Sequence, residues 1–286
     1  MKLKRRAKRW PRRRATSLAK QAFKLVILDL DGVVYLGDEV IPGAGEAVRA
    51  LIEAGLGIRY MTNNSYRTRR AYTRKLRRLG IPARESEIYT SGYLTARQLA
   101  RKGIAGKRAF VIGGPGLRQE LELVGIELVS GPPADYVVTG FDPRFSYAKL
   151  AKAYQCYLDG AKLVASNKDR SFPSDEGHRP AGGTVAAALE HCCGARAKVY
   201  GKPQASSLLQ IVREAGIQKA SAVMIGDRLD TDILAAGNAG LASVLVLTGS
   251  TTEAEARAAQ GKSSPTWIMD SIAKLPELLL SGQAPG

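Results

Sequence analysis

Four short polar clusters stand out because each follows an apolar run and carries groups able to bind or move charge. The first is Asp29-Leu30-Asp31-Gly32. Residues two apart in an extended segment point the same way, so both carboxylates face one pocket. Carboxylates that close ionise together cheaply only with a cation between them. A hard cation such as magnesium binds one or two carboxylates together with phosphate oxygens. Gly32 lets the backbone approach a ligand closely. The second cluster, Thr62-Asn63, pairs a hydroxyl with an amide, both suited to donating hydrogen bonds to a phosphoryl group. In the third, Gly201-Lys202-Pro203, one ammonium is placed to offset phosphate charge. The fourth, Gly226-Asp227 with Asp230 and Asp232, puts three acids at a turn leading into a helix, with Asp227 best placed as a metal ligand. Singly, each has a plainer reading as a surface turn, a loop or a helix cap. Jointly they point to one phosphate-handling site.

The elements around them explain how they meet. Phe23 to Leu28 is a short apolar run of the kind buried in a parallel sheet. Residues 43–55 fit a helix with Ala47, Val48, Leu51 and Ile52 on one face. A strand over 56–61 and a basic helix over 67–79, closed by Gly80, follow. The same alternation continues with strands at 109–112, 136–139, 162–165, 198–200, 221–225 and 243–247. Helices are expected near 116–124, 146–159 and 183–193, and a last one holds Ile272, Leu275, Leu278 and Leu279. Strand and helix in alternation predict an α/β fold with a parallel sheet covered on both faces. Ligands of such sheets bind outside the carboxyl ends of the strands, where all four clusters fall. Residues 166–183, rich in Asn, Asp, Ser, Gly and Pro, read as a long loop, and long loops inside compact domains are commonly functional.

The 286 residues carry a formal net charge of +17, which suggests nucleic acid until it is located. Residues 1–20 hold ten Lys or Arg and no acid, leaving 33 basic and 26 acidic groups in the remaining 266 residues, a net of +7. Blocks of like charge repel, so residues 1–20 are expected to be a disordered, solvated tail. Contact with nucleic acid or anionic lipid, if any, is expected only through this tail, which is also basic enough to resemble a targeting segment. No window reaches the apolar length of a membrane span. Three cysteines without paired spacing argue against a disulfide framework and for a reducing cytoplasm.

The order DLDGVV, TNNS, GKP and GDRLDTD resembles the haloacid dehalogenase superfamily of aspartate-based phosphatases, over about residues 23–280. The segments 37–43, 138–142 and 165–169 resemble its NagD-like, 4-nitrophenylphosphatase-type members. The resemblance implies a Rossmann-like core over 21–89 and 198–286, with an α/β cap inserted over 90–197. It implies Asp29 as the nucleophile that forms an aspartyl-phosphate, and Asp31 as the acid and base serving the leaving alcohol and the attacking water. Thr62 and Lys202 hold the transferring oxygens. Asp29, Asp227 and the backbone carbonyl of Asp31 bind Mg2+, with Asp232 supporting Lys202 or the metal's waters. Gly32, Asn63, Asn167 and Phe172 contact substrate, the last helping to choose it. The substrate is then a small phosphorylated metabolite, such as a sugar, glycerol, nucleotide or pyridoxal phosphate, and a homodimer through the cap is plausible by the same likeness.

Other readings compete. A receiver-like signalling module also uses Asp, Thr and Lys at sheet ends, but it is smaller and lacks a cap. A phosphotransferase or mutase shares the aspartyl-phosphate and differs in its acceptor. A catalytically inactive relative would bind nucleic acid or membrane through the tail. Several motifs read as decoys. Gly261-Lys262-Ser263 lacks the upstream glycine of a P-loop, Gly114-Pro115-Gly116 is half a dinucleotide fingerprint, and His191-Cys192-Cys193 has no second metal pair. His178 reads as a solvated loop residue.

Overall fold

The computed structural model describes residues 23–174 and 177–281. The reading of residues 1–20 as a disordered tail falls outside them. Six parallel strands form the core sheet, in the spatial order Trp267–Met269, Ala242–Val246, Ala222–Gly226, Leu25–Asp29, Gly57–Thr62, Ile88–Thr90. The central strand is apolar on both faces for a simple reason. Val26 and Leu28 pack into one core cluster, Leu25 and Ile27 into the other, and helices cover each side. Val223 and Ile225 against Ala222 and Met224 repeat this alternation on the next strand. From Leu25–Asp29 the chain moves outward to Ile88–Thr90, then returns on the opposite side at Ala222–Gly226. That reversal leaves a crevice at the carboxyl ends of the two central strands, where Asp29 and Asp227 emerge.

A second parallel sheet runs in the order Lys198–Val199, Lys162–Ala165, Tyr136–Thr139, Arg108–Ile112, Glu127–Val129. Helices Tyr147–Leu158 and Gly182–Cys193 cover one face of it, and Ser91–Ala100 with Pro115–Leu123 the other. This insertion matches the expected cap in kind but not at its edges. Lys198 pairs with Val164, so the strand assigned to the core by a boundary at 198 belongs to the second sheet. Its two residues are too few for an apolar pattern to reveal their partner. Helix Ser91–Ala100 is shared: Leu94 packs in the core cluster, Ala96 and Leu99 in the cap cluster.

Other differences are local. The expected loop over 166–183 contains an antiparallel hairpin, Ser171–Ser174 with Gly177–Pro180. The basic helix begins at Arg69, because Thr68 accepts a hydrogen bond from the Ala71 amide and takes the capping position. The last helix divides into a 3-10 turn, Ile272–Lys274, and Leu275–Ser281, whose second residue is a proline that cannot continue an incoming α-helix. Among the described residues no helix is long and apolar enough to cross a membrane.

Candidate active site

At the carboxyl end of the core sheet lies a cavity of about 280 Å3, lined by Asp29, Asp31, Gly32, Thr62, Asn63 and Lys202 among others. Asp227 and Phe172 reach it as well. Its floor is a charge cluster almost out of reach of water. The Lys202 Nζ donates to Asp29 Oδ1 at 2.7 Å and to Asp232 Oδ1 at 2.5 Å. Asp232, wholly buried, also accepts the Arg228 amide on its other oxygen at 3.1 Å. It thus supports Lys202 from beneath and does not line the cavity. The π-helical turn Leu229–Ile233 aims it there, a distortion common where a helix start carries function. Gly32, at φ 80°, must be glycine on two counts: the backbone is left-handed, and a Cβ would meet the Asp227 carboxyl at 2.7 Å.

Asn63 ties three segments together. Its amide nitrogen donates to Asp169 Oδ1 at 2.9 Å and to the Lys202 carbonyl at 3.0 Å, while its side-chain oxygen accepts the Lys202 amide at 2.9 Å. Asn167, expected at the substrate, lies behind the cavity wall. It is buried and absent from the cavity wall, and it donates to the Asn63 carbonyl at 2.7 Å. It holds the loop that carries Asn63. Thr62 accepts the Asn64 amide at 3.1 Å.

Cavity residues that motif reasoning missed come from two places. Asp169 sits in a segment flagged only as a family likeness, and its role shows once Asn63 is opposite it. Lys75, from the basic helix, bonds the Gly37 carbonyl at 2.5 Å and lies 3.8 Å from the Tyr35 ring centroid. Three positions after the buried Tyr72, it was on the inward face of a helix whose charge otherwise reads as solvated. Of the decoys, Gly261–Ser263 is a 3-10 turn and His191 ends a cap helix; neither lines the cavity.

Burial sets the electrostatics. Desolvation holds the Asp29 carboxyl well above the usual carboxylate range, Lys202 pulls it back, and Asp232 and Asp227 push it further up. Burial works against the Lys202 charge, but Asp232 and Asp29 outweigh it and raise its pKa. Asp31 is raised by burial and partly restrained by Lys75 and the Gly37 backbone. Asp227 is pushed up to about 6 by burial and by Asp232.

The residues fit a hard divalent cation. Oxygens of Asp29, Asp227 and Asp232 lie within 4.8 Å of one another. Lys202 and Arg228 already engage both Asp232 oxygens, which leaves Asp29 and Asp227 to face the ion. Asp227 Oδ2 accepts the Ser250 amide at 2.7 Å, whereas its buried Oδ1 has no partner among the described residues. An unsatisfied buried carboxylate oxygen beside a second carboxylate is a ligand set in waiting. The carboxyl group of Asp31 stands apart from this trio.

A pH dependence follows. A cation bound here must displace any proton from Asp227 and from Asp29, both raised, so its apparent Kd is expected to rise about tenfold or more per pH unit below the Asp227 pKa of about 6. The sign for stability is opposite without metal. The folded Asp227 keeps its proton between its unperturbed 3.8 and about 6, where the unfolded chain has lost it. Stability of the metal-free protein therefore falls as pH rises through that window. Thermal unfolding in EDTA and in magnesium, from pH 5 to 8, checks both; a magnesium shift equal at all pH values would remove Asp227 from the ligand set.

A haloacid dehalogenase-like hydrolase family model matches residues 26–127, and a HAD-hydrolase-like one matches residues 199–275. Human glycerol-3-phosphate phosphatase is 38% identical over 87% of this chain and 89% of its own length. The chain belongs to the haloacid dehalogenase-like hydrolases. Chronophin of Rattus norvegicus, 37% identical over 88% of this chain and 86% of its own, is a further relative within this hydrolase family. Among solved hydrolases of the family, a 4-nitrophenylphosphatase from Thermotoga maritima has a TM-score of 0.85 at 33% identity, covering 92% of this chain and 99% of that one. A glycerol phosphate phosphatase from Mycobacterium tuberculosis, solved in complex with magnesium, reaches 0.84 at 32% identity over 92% and 79% of the two chains.

Proposed function

We propose that the chain is a magnesium-dependent phosphatase that passes the phosphoryl group of a small monoester to Asp29 and then to water. The observation that carries this reading is Asp29 itself. One of its oxygens is fixed by Lys202 at 2.7 Å, and the carboxylate lines a cavity of about 280 Å3 near an Asp227 oxygen that has no partner among the described residues. Glycerol phosphate is a suitable substrate, supported by the names of two relatives and by the modest cavity.

In the first step the Asp29 oxygen attacks phosphorus, the bond to the leaving alcohol oxygen breaks, and Asp31 donates the proton that oxygen needs. In the second, Asp31 takes a proton from water, the water oxygen attacks phosphorus, and Asp29 leaves as a carboxylate. The raised pKa of Asp31 suits the donor half of this cycle. Thr62 and Lys202 hold transferring oxygens, and Asn63 holds the Lys202 backbone in place. Magnesium, when bound by Asp29 and Asp227 with the Asp31 carbonyl, would neutralise the carboxylates and the phosphoryl charge. Hydrolysis of para-nitrophenyl phosphate and glycerol 3-phosphate, with magnesium or EDTA, tests the reading; no turnover of either with any divalent metal would sink it.

Asp31→Asn separates the proton's role from the rest. An alkoxide leaves badly without a proton, so kcat on glycerol 3-phosphate is expected to fall roughly 10^2- to 10^4-fold. Nitrophenolate needs no proton to leave, so its first step should suffer far less in a single-turnover burst. Equal losses on both substrates would show that Asp31 does something other than protonate the leaving group.

The free cysteines Cys156, Cys192 and Cys193 support a reducing compartment such as the cytoplasm. On the cap, Tyr147 is 85% exposed and Leu158 57%, at the two ends of one helix, which supports a cap-mediated homodimer.

A further inference from the structure

The chemistry above leaves one concavity unused. Beside the catalytic cavity lies a second, of about 350 Å3, and Ser171, Arg228 and Ser250 line both. The two spaces therefore adjoin along these three side chains. Arg228 is the largest of them, and the Asp230 carboxylate holds it at 3.1 and 3.0 Å. The loop carrying Ser250 is fixed from the catalytic side, since its amide donates to Asp227. The cap hairpin supplies Ser171 on the opposite wall.

The two spaces differ in what their cations can do. In the catalytic cavity Lys202, Lys75 and Arg67 stand among the carboxylates Asp29, Asp31, Asp38, Asp169 and Asp227, two of which would be covered by a bound cation. In the second, Arg228 is the one cation on the wall among the described residues and is already paired with Asp230. Its other polar lining residues are Ser171, Ser250, Thr251 and Glu255, and Leu229 is its apolar one. One Glu255 oxygen is taken by Thr252, at 2.8 Å from its amide and 2.6 Å from its hydroxyl; the other remains to accept. A neutral chain rich in hydroxyls finds hydrogen-bond partners here, while a second anion would face two carboxylates.

We infer that this second concavity is a leaving-group subsite, which takes the hydroxylated end of sugar or polyol phosphates longer than glycerol phosphate. The inference rests on the phosphatase reading. It assigns specificity to Thr251 and Glu255, on the loop and helix after the strand Ala242–Val246, as well as to the cap.

Thr251→Trp would fill the subsite with an indole. The measurement is the ratio of kcat/KM for sorbitol 6-phosphate to that for para-nitrophenyl phosphate, whose compact ring needs no second space. The ratio is expected to fall about tenfold or more, the size of effect that lost hydrogen bonds and lost room produce. Glu255→Lys, on the exposed helix Glu253–Ala258, should lower the same ratio by filling the space and pairing with Asp230, and it serves if the tryptophan variant does not fold. A ratio within twofold of wild type in both variants overturns the subsite. So does a wild type that cleaves para-nitrophenyl phosphate but not sorbitol 6-phosphate. A wild type inactive on both would instead bring down the phosphatase reading itself.

Discussion

Replacing Asp29 by Asn is expected to lower kcat on the order of 10^5-fold, as loss of a nucleophile does in other covalent catalysts, with no loss of thermal stability. Shape is conserved and the Asn carbonyl oxygen still accepts the Lys202 ammonium, now 2.7 Å from Asp29 Oδ1. The amide nitrogen has no free lone pair with which to attack phosphorus. Burial already works against the charged form of Asp29, and Asp232 and Asp227 add repulsion, so removing one negative charge relieves the fold. Activity and stability should therefore move apart. Chemical trapping supplies an independent readout. Acid quench of the wild type during turnover should leave phosphate on a peptide containing Asp29, labile to hydroxylamine, and none in the variant. Turnover within about 100-fold of wild type, far above a lost nucleophile, would mean that Asp29 is not the attacking group.

The alternation of strand and helix was legible because the core strands are apolar on both faces, as in Leu25–Asp29 and Ala222–Gly226, and leave a continuous signal. Three of the four polar clusters were legible for the same reason, since each ends such a run; Gly201-Lys202-Pro203 follows only the two-residue strand Lys198–Val199. Strands of two or three residues carry too few side chains for any period, so the sheet that Lys198–Val199 joins and the strand Ile88–Thr90 were hidden. The hairpin beginning at Ser171 was masked by a prolyl residue and by polar composition. Within the site, sequence order says which residues end strands but not which way their side chains turn. Asn167 follows a strand end like Thr62 and Asn63 do, yet it turns to the Asn63 carbonyl and braces the loop. Lys75 shows the converse, an inward lysine in a run of outward arginines.

Lys202→Met should be the most damaging single change to the fold near the site. The lysine is 2% exposed and is the shared counter-charge of Asp29 and Asp232. Methionine fills similar volume without charge, and stranding buried partners costs about 3–5 kcal/mol. Catalysis should fall by a further 10^2- to 10^3-fold or so on the surviving folded protein, as when one charge-stabilising donor is removed. Its pH dependence identifies the cause. The folded pKa of Lys202 is raised, so the lysine's own contribution is present below its unperturbed 10.5 and is lost only above that. Any dependence between pH 5 and 8 in the variant comes from the carboxylates. Without the ammonium that now pulls Asp29 down, their pKa values rise further, and stability falls as pH rises through them. The variant should thus approach wild-type stability at pH 5 and fall away by pH 8, with magnesium recovering part of the difference through Asp29 and Asp227. A deficit independent of pH would instead mean that Lys202 stabilises the fold by packing, leaving Asp29 and Asp232 balanced by other groups.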